Sequence, residues 1–185
     1  MFALRVDDEV EIRLLEERHA DELYGLVDVN REHLRPWLPW VDGTRSAEDT
    51  RAFIRTSLEG FAAGRAYAAA LRYRGQLAGG IGLDVDVPMR RGEIGYWVAQ
   101  TFVGRGIVTR AAGALTGAAF GDLGLNRVQI LCATHNVRSC AVAERLGFRK
   151  EGTLRGFERV GERFHDIVAY GMLAREWPAK AEGEG

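Results

Sequence analysis

The sequence has few cysteines and no long hydrophobic segment. Its 185 residues include two cysteines, Cys132 and Cys140, which lie in apolar segments and lack the C-x-x-C spacing of metal and redox motifs. We therefore expect two buried, reduced thiols, with no disulfide and no metal site. No apolar run reaches the roughly 20 residues that a bilayer span requires, and an early charge at Arg5 argues against a signal peptide. These features predict a soluble, cytoplasmic protein.

The sequence also lacks an excess of charge of either sign. It contains 25 basic and 26 acidic residues, which give a formal net charge of −1. No overall electric field attracts such a chain to nucleic acid or to an anionic membrane, so we expect neither as a partner. Any anion-binding site must therefore be local.

Two familiar phosphate-binding motifs are missing. A Walker P-loop needs Gly-Lys followed by Ser or Thr, and the sequence contains no Gly-Lys pair. The dinucleotide-binding pattern G-x-G-x-x-G starts at Gly104 and Gly106, but Thr109 stands where the third glycine belongs. These absences argue against a nucleoside triphosphate or a dinucleotide as the ligand.

The spacing of apolar residues predicts one mixed α/β sheet. The predicted strands are residues 10–15, 66–73, 77–84, 92–99, 127–134, 148–151 and 165–175, and the predicted helices are residues 18–30, 46–64, 107–123 and 136–146. Because a helix joins strands 92–99 and 127–134, these two strands should be parallel. We assign residues 1–177 to a single domain and residues 178–185 to a frayed polar tail.

The segment QTFVGRGIVTRAA, residues 100–112, places two glycines just before a helix that begins at Ile107. Amide groups at a helix N-terminus converge on one point, and the helix dipole adds partial positive charge there. This arrangement favours an anion. An ordinary loop is an equally good interpretation of these residues alone.

Six motifs follow one another between residues 10 and 175: HLRPWLPW, EIGYWV, GRGIVTRAA, the N-x-x-S of Asn136 and Ser139, LGFRKEG and HDIVAYGML. Together they resemble the GNAT superfamily of acetyl-CoA-dependent N-acetyltransferases, and within it the ribosomal-protein N-terminal (serine/alanine) acetyltransferases. The resemblance implies a mixed, mostly antiparallel central sheet with helices on both faces and one splayed strand pair. It also implies acetyl-CoA as the cosubstrate and a homodimer as a possible assembly.

The same resemblance assigns the glycine loop to the pyrophosphate of coenzyme A. It implies backbone contacts from residues 104–109, the Thr109 hydroxyl and the guanidinium of Arg105 or Arg110, and a backbone N–H near Val98 that polarises the thioester. The implied coenzyme-binding residues are Val98, Val103, Gly104, Arg105, Gly106, Ile107, Val108, Thr109, Arg110 and Asn136. Val103 and Val108 depart from the family pattern, and the change at Val103 removes a polar side chain near the pyrophosphate.

Catalytic roles are implied for two residues. Ser139 resembles the general acid that protonates the coenzyme A thiolate, and Glu158, in a loop between the last two strands, resembles the base that acts through a water. Alternatively, Ser139 and Asn136 cap a helix, and Glu158 is a solvated loop carboxylate. Glu93, beside the strand that would carry the acetyl group, is the backup candidate for the base, and an ordinary edge charge is its favoured interpretation.

Aromatic residues could form the acceptor's entrance. Trp37 and Trp40 are candidates for its walls, with core packing as the alternative, whereas core packing is the favoured interpretation of Trp97. His135 and His165 lack carboxylate and hydroxyl partners in a recognisable triad order, and we interpret His165 with Asp166 as strand-end structure.

The resemblance predicts an acetyltransferase that joins acetyl-CoA and an amine in a ternary complex, where the amine attacks directly. The predicted acceptor is the N-terminal α-amine of a protein, specifically a ribosomal protein. Acetylation of a small-molecule amine or antibiotic is the second hypothesis. The third is a catalytically silent coenzyme A-binding scaffold or sensor, which keeps the loop but not the chemistry.

Overall fold

The computed structural model describes residues 3–178, which contain one eight-stranded sheet in the order β1-β2-β3-β4-β5-β6-β8-β7. All neighbouring strands are antiparallel except β5 and β6. The strands are β1 (Ala3–Arg5), β2 (Val10–Leu14), β3 (Ala66–Tyr73), β4 (Gln76–Asp86), β5 (Arg91–Val98), β6 (Arg127–Ala133), β7 (Arg149–Val160) and β8 (Arg163–Leu173). The prediction of a mixed, mostly antiparallel sheet is confirmed.

Helices cover both faces of this sheet. They are α1 (Ala20–Val29), α2 (Arg31–Leu34), α3 (Ala47–Ala62), α4 (Ile107–Gly121) and α5 (Val137–Arg145). Alternate residues of β3 enter different cores, because side chains in a strand point to opposite faces. Leu71 packs into the core that α4 and α5 cover, whereas Ala70 packs into the core of α1 and α3. No helix within residues 3–178 is long and apolar enough to cross a bilayer.

Local sequence signals explain several boundaries. Ser46 caps α3, since its hydroxyl accepts a hydrogen bond from the Asp49 amide at 3.2 Å. The hairpin between β3 and β4 turns at Arg74 and Gly75, with φ of 50° and 80°, as in the tight turns that match strand twist. In α4, small side chains allow close packing on the sheet: Ala111, Ala112 and Ala119 are completely buried.

The strand β7 is longer than the predicted strand 148–151, and β8 begins and ends two residues before the predicted strand 165–175. β7 reaches Val160 and β8 begins at Arg163, so Glu158 lies in a strand, and its predicted position in a loop is wrong. Burial could not reveal the full extent of β7, because nearly all its side chains are exposed. Pairing with β8 defines it. A bulge at residues 155–157 interrupts the pairing, where the Gly156 amide donates to Asp166 Oδ1 at 2.7 Å.

Two further differences concern the ends of the chain. The short strand β1 was not predicted, and it pairs with β2 through three residues. Apart from the exposed Pro178, the predicted frayed tail lies outside the described residues.

The sheet opens between β5 and β6. Their parallel ladder has only three pairs, which end at Glu93 and Gln129. Beyond them, β5 stays paired with β4 and β6 stays paired with β8. Residues 94–98 and 130–133 therefore border a gap, and the predicted splayed strand pair is confirmed.

Candidate active site

The glycine loop lies at the open end of this gap. After β5 the chain makes a short turn, and Gly104 and Gly106 then adopt φ of 82° and 70°, a region that disfavours other residues. Gly106 is the N-cap of α4 and supplies no capping side chain. The first amide bonded within the helix is that of Arg110, which donates to Gly106 O at 3.1 Å. The preceding amides, including those of Ile107, Val108 and Thr109, form the geometry of an anion site.

The two arginines of the loop are placed differently. Arg110 Nη1 donates to Asp7 Oδ2 at 2.8 Å and to Glu9 Oε2 at 3.2 Å, so carboxylates near β2 already neutralise it. Its Nη2 donates to Arg105 O at 3.2 Å and so braces the loop. This geometry argues against the predicted phosphate contact of Arg110. Arg105 is exposed beside the rings of Tyr73 and Phe102, and no carboxylate pairs with it within residues 3–178.

A buried asparagine fixes the segment that follows Val98. Asn30 Oδ1 accepts a hydrogen bond from the Gln100 amide at 2.9 Å, and Asn30 Nδ2 donates to Leu26 O at 2.8 Å. The sequence analysis missed Asn30, since an asparagine after a helix resembles an ordinary helix end. Val98 itself is half-buried and pairs with Gly79, and its role as a thioester-polarising donor stays a prediction.

Ser139 lies between the two splayed strands. Its hydroxyl is 3.2 Å from the Tyr96 hydroxyl of β5 and 3.2 Å from Cys132 Sγ of β6. Asn136 caps α5, because its Oδ1 accepts from the Ser139 amide at 3.2 Å. The predicted cap thus exists, and it leaves the Ser139 hydroxyl free to face the gap residues. Sequence reasoning missed Tyr96, whose position in an apolar strand gave no signal beyond packing.

The neighbours of Ser139 are neutral. Burial raises the pKa of the Cys132 thiol to about 12, and burial also raises the pKa of the Tyr96 hydroxyl above its usual value. Both groups therefore keep their protons near neutral pH. Cys132 and Cys140 are buried free thiols, as predicted.

The two predicted carboxylates lie on the same side of the site. Glu158 pairs across the hairpin with His165, and burial raises the pKa of the Glu158 carboxyl. The nearby His165 opposes this rise, whereas the like charge of Glu93 adds to it. Glu93 ends the β5–β6 ladder, where its Oε2 accepts from Gln129 Nε2 at 2.8 Å. A carboxylate with a raised pKa is better suited to accept a proton.

An aromatic column adjoins these carboxylates. The rings of Trp37 and His135 are 5.0 Å apart, and His135 stacks on His165 at 4.8 Å. The stack thus runs from Trp37 through His135 to His165, which pairs with Glu158. Trp40 meets Trp97 edge-on at 6.1 Å. Trp97 packs against the core of α1 and α3, as predicted.

No cluster of three or more metal-ligating side chains occurs in the described part of the chain. The site instead consists of a half-buried hydroxyl at Ser139, a carboxyl with a raised pKa at Glu158 and a glycine loop with the geometry of an anion site. These three parts suit the transfer of an acyl group from a phosphate-bearing carrier to an amine.

Comparison with known proteins identifies the family. The model of the acetyltransferase (GNAT) domain matches residues 9–149. YdaF of Bacillus subtilis (strain 168), provisionally named a ribosomal N-acetyltransferase, is 40% identical over 192 aligned positions that cover 100% of both chains. The ribosomal-protein-serine acetyltransferase of Escherichia coli (strain K12) is 29% identical and covers 92% of this chain and 96% of its own.

Solved structures agree with this result. RimL, a ribosomal L7/L12 α-N-protein acetyltransferase in complex with coenzyme A, superimposes with a TM-score of 0.90 at 27% identity, over 92% of this chain and 97% of RimL. The microcin C7 self-immunity acetyltransferase MccE, in complex with acetyl-CoA and AMP, gives 0.87 at 29% identity, over 92% and 95%. The chain therefore belongs to the GNAT family of acetyl-CoA-dependent N-acetyltransferases.

Proposed function

We propose that this enzyme acetylates the N-terminal α-amine of a ribosomal protein. The observation that carries the proposal is the position of Ser139, whose hydroxyl lies between β5 and β6 where their ladder has opened. YdaF and the Escherichia coli enzyme both carry names that refer to ribosomal proteins, and they cover nearly the whole chain. The domain predicted over residues 1–177 would then be the catalytic unit.

The residues present fit coenzyme A. A Cβ added to Gly104 or Gly106 meets no atom within 4 Å, so a phosphate can approach the loop amides closely. The gap between β5 and β6 provides a path for the pantetheine arm from this loop towards Ser139. In this arrangement residues 103–109 bind the pyrophosphate, Arg105 supplies a positive charge, and the Val98 amide polarises the thioester carbonyl.

A cysteine also adjoins the proposed acid. In the RimL complex, coenzyme A forms a disulfide with a cysteine of that protein. In the present chain, Cys132 Sγ lies 3.2 Å from Ser139 Oγ. The Cys132 thiol and the proposed acid Ser139 thus lie together beside the gap. If Ser139 protonates the coenzyme A sulfur, that sulfur has to lie at the same place.

The acceptor follows from proton affinity. A terminal α-amine has a pKa of about 7.7–8 and lysine a pKa near 10.4, so deprotonating lysine near neutral pH costs about 3–4 kcal/mol more. Glu158 has a raised pKa but remains a weak base, which is enough for the α-amine. Glu93 and the aromatic column of Trp37, His135 and His165 would border the amine as it approaches.

The reaction then needs no covalent enzyme intermediate. The amine nitrogen attacks the thioester carbon, and its surplus proton passes to Glu158 through a water. The C–S bond breaks with its electron pair on sulfur, which takes the proton of Ser139. Solvent returns a proton to Ser139 and removes one from Glu158. The products are the acetylated amine and free coenzyme A, so all atoms and charges balance.

Thiol release from acetyl-CoA tests the proposal. The acceptors would be peptides that begin with Ser or Ala, the same peptides blocked at the N-terminus but containing lysine, and aminoglycosides. We expect turnover with the free N-termini. Ser139→Ala should lower kcat about 100-fold or more while the coenzyme A affinity is kept. The control is Ser57→Ala, since Ser57 is a helical serine whose hydroxyl donates only to Phe53 O, at 2.9 Å, in α3.

One relative favours a second candidate function. MccE binds acetyl-CoA together with AMP, which is a small molecule, and MccE confers self-immunity to microcin C7. Turnover with small amines but not with peptides would favour this function. Tight coenzyme A binding without turnover of any acceptor would favour a silent scaffold or sensor.

We further propose that the enzyme acts in the cytoplasm, where ribosomal proteins and acetyl-CoA meet. The two free thiols suit a reducing compartment. The homodimer and the absence of nucleic acid or membrane partners stay predictions.

A further inference from the structure

Tyr96 contacts the proposed acid twice. Its hydroxyl oxygen accepts a hydrogen bond from Ser139 Oγ at 3.2 Å, and its own proton is donated to Ser139 O at 3.1 Å. The two residues are 43 positions apart and belong to β5 and α5. Tyr96 lies beyond the last pair of the β5–β6 ladder, at the border of the gap.

Ser139 needs such a partner because serine is a weaker acid than a thiol. Moving its proton towards a leaving sulfur places negative charge on Oγ, and a hydrogen bond to Oγ lowers the cost of that charge. A hydroxyl has one proton and two lone pairs, so each of the two hydroxyls can exchange donor and acceptor roles by rotating. Hydrogen bonds in such a chain polarise and strengthen one another.

We propose that Tyr96 is a positioning residue for acetyl transfer: it holds the Ser139 hydroxyl at the gap and donates a hydrogen bond to Oγ as that oxygen protonates the coenzyme A sulfur. The inference rests on the proposed function, because it requires Ser139 to be the acid. Tyr96 keeps its proton throughout, rotating it from Ser139 O to Oγ. The bonds broken and formed are those of the reaction given above.

The surroundings of Tyr96 support this role. Burial raises the pKa of its hydroxyl, so the phenol remains a donor over the working pH range. Cys132 also contacts Oγ, but a thiol is a weak hydrogen-bond donor. Of the two neighbours, Tyr96 is therefore the one able to stabilise charge on Oγ.

Tyr96→Phe tests the inference, since it removes the hydroxyl and keeps the ring. We expect kcat to fall about tenfold to a hundredfold, the range expected for one hydrogen bond to a charged group, with unchanged affinity for coenzyme A. The matched control is Tyr67→Phe, which removes a phenol hydroxyl from β3 beside Phe61 and should leave kcat unchanged.

A double variant separates positioning from a structural role. If Tyr96 acts through Ser139, Tyr96→Phe combined with Ser139→Ala should be no slower than Ser139→Ala alone. A normal kcat for Tyr96→Phe, or additive losses in the double variant, would overturn the inference while leaving the proposed function intact. A normal rate for Ser139→Ala would refute the proposed acid and the inference with it. If Tyr96→Phe does not fold, a fluorinated tyrosine at position 96 serves instead: as a stronger donor it should raise kcat, and an unchanged kcat would overturn the inference.

Discussion

Substitution of Gly106 by alanine is the sharpest test of the coenzyme-binding loop. Gly106 is the N-cap of α4 with φ of 70°, and an added Cβ meets no atom within 4 Å. The substitution therefore causes no clash and acts through the backbone. A left-handed backbone costs an L-residue about 1–2 kcal/mol. This strain favours rotation of the peptide group beside residue 106, and the N–H of that peptide group then no longer points at the anion.

The size of the effect is limited by the smaller of two costs. A hydrogen bond to a charged group contributes about 1.5–3 kcal/mol, but the bound variant can recover the left-handed backbone for about 1–2 kcal/mol. At 1.36 kcal/mol per factor of ten, we expect the Kd for coenzyme A to rise about 5- to 30-fold. Isothermal titration calorimetry of coenzyme A with the intact protein measures this change directly.

Gly161→Ala is the matched control for this experiment. Gly161 has φ of 60°, an added Cβ also meets nothing within 4 Å, and the residue lies in the turn between β7 and β8. The control variant has the same backbone strain at a position outside the glycine loop. Its Kd for coenzyme A should therefore equal that of the wild type. The assigned loop would be refuted by an unchanged Kd for Gly106→Ala or by equal losses in both variants.

Three other substitutions give independent checks. Glu158→Gln should lower kcat/KM about 10²- to 10⁴-fold in thiol-release assays. Because burial raises the pKa of Glu158, the wild-type rate, corrected for protonation of the acceptor amine, should fall as the pH is lowered, with a midpoint above the ordinary glutamate pKa. The variant should lack this corrected fall. Arg105→Gln should weaken coenzyme A binding and reduce the salt dependence of that binding. Arg110→Gln should mainly lower the thermal unfolding midpoint, since Arg110 pairs with Asp7. Equal losses of coenzyme A affinity in the two variants would contradict this distinction. Asn30→Ala should cost about 1–3 kcal/mol in denaturant unfolding, because it removes two part-buried hydrogen bonds, one from the Gln100 amide and one to Leu26 O. An unchanged midpoint would contradict that role.

The candidate acid Ser139 could be proposed from the sequence, but its contacts could not. The N-x-x-S motif and its place before α5 are local features, visible within a few residues. The contacts of Ser139 with Tyr96 and Cys132 depend on how far β5 and β6 separate, and strand separation leaves no local pattern. The same reason explains why nothing in the sequence indicated that His135 stacks on His165 beside Glu158.

The sequence by itself determined the order of the main strands and helices, the glycine loop before α4 and the family motifs, because apolar spacing, glycine and caps act over a few residues. Only the tertiary structure decided the extent of β7, since its exposed residues become a strand through pairing with β8. Tertiary structure also decided that Arg110 pairs with Asp7, 103 positions away, and that Arg105 is left beside the loop. Charge pairing and strand register depend on which distant segments become neighbours, and only the folded chain fixes that.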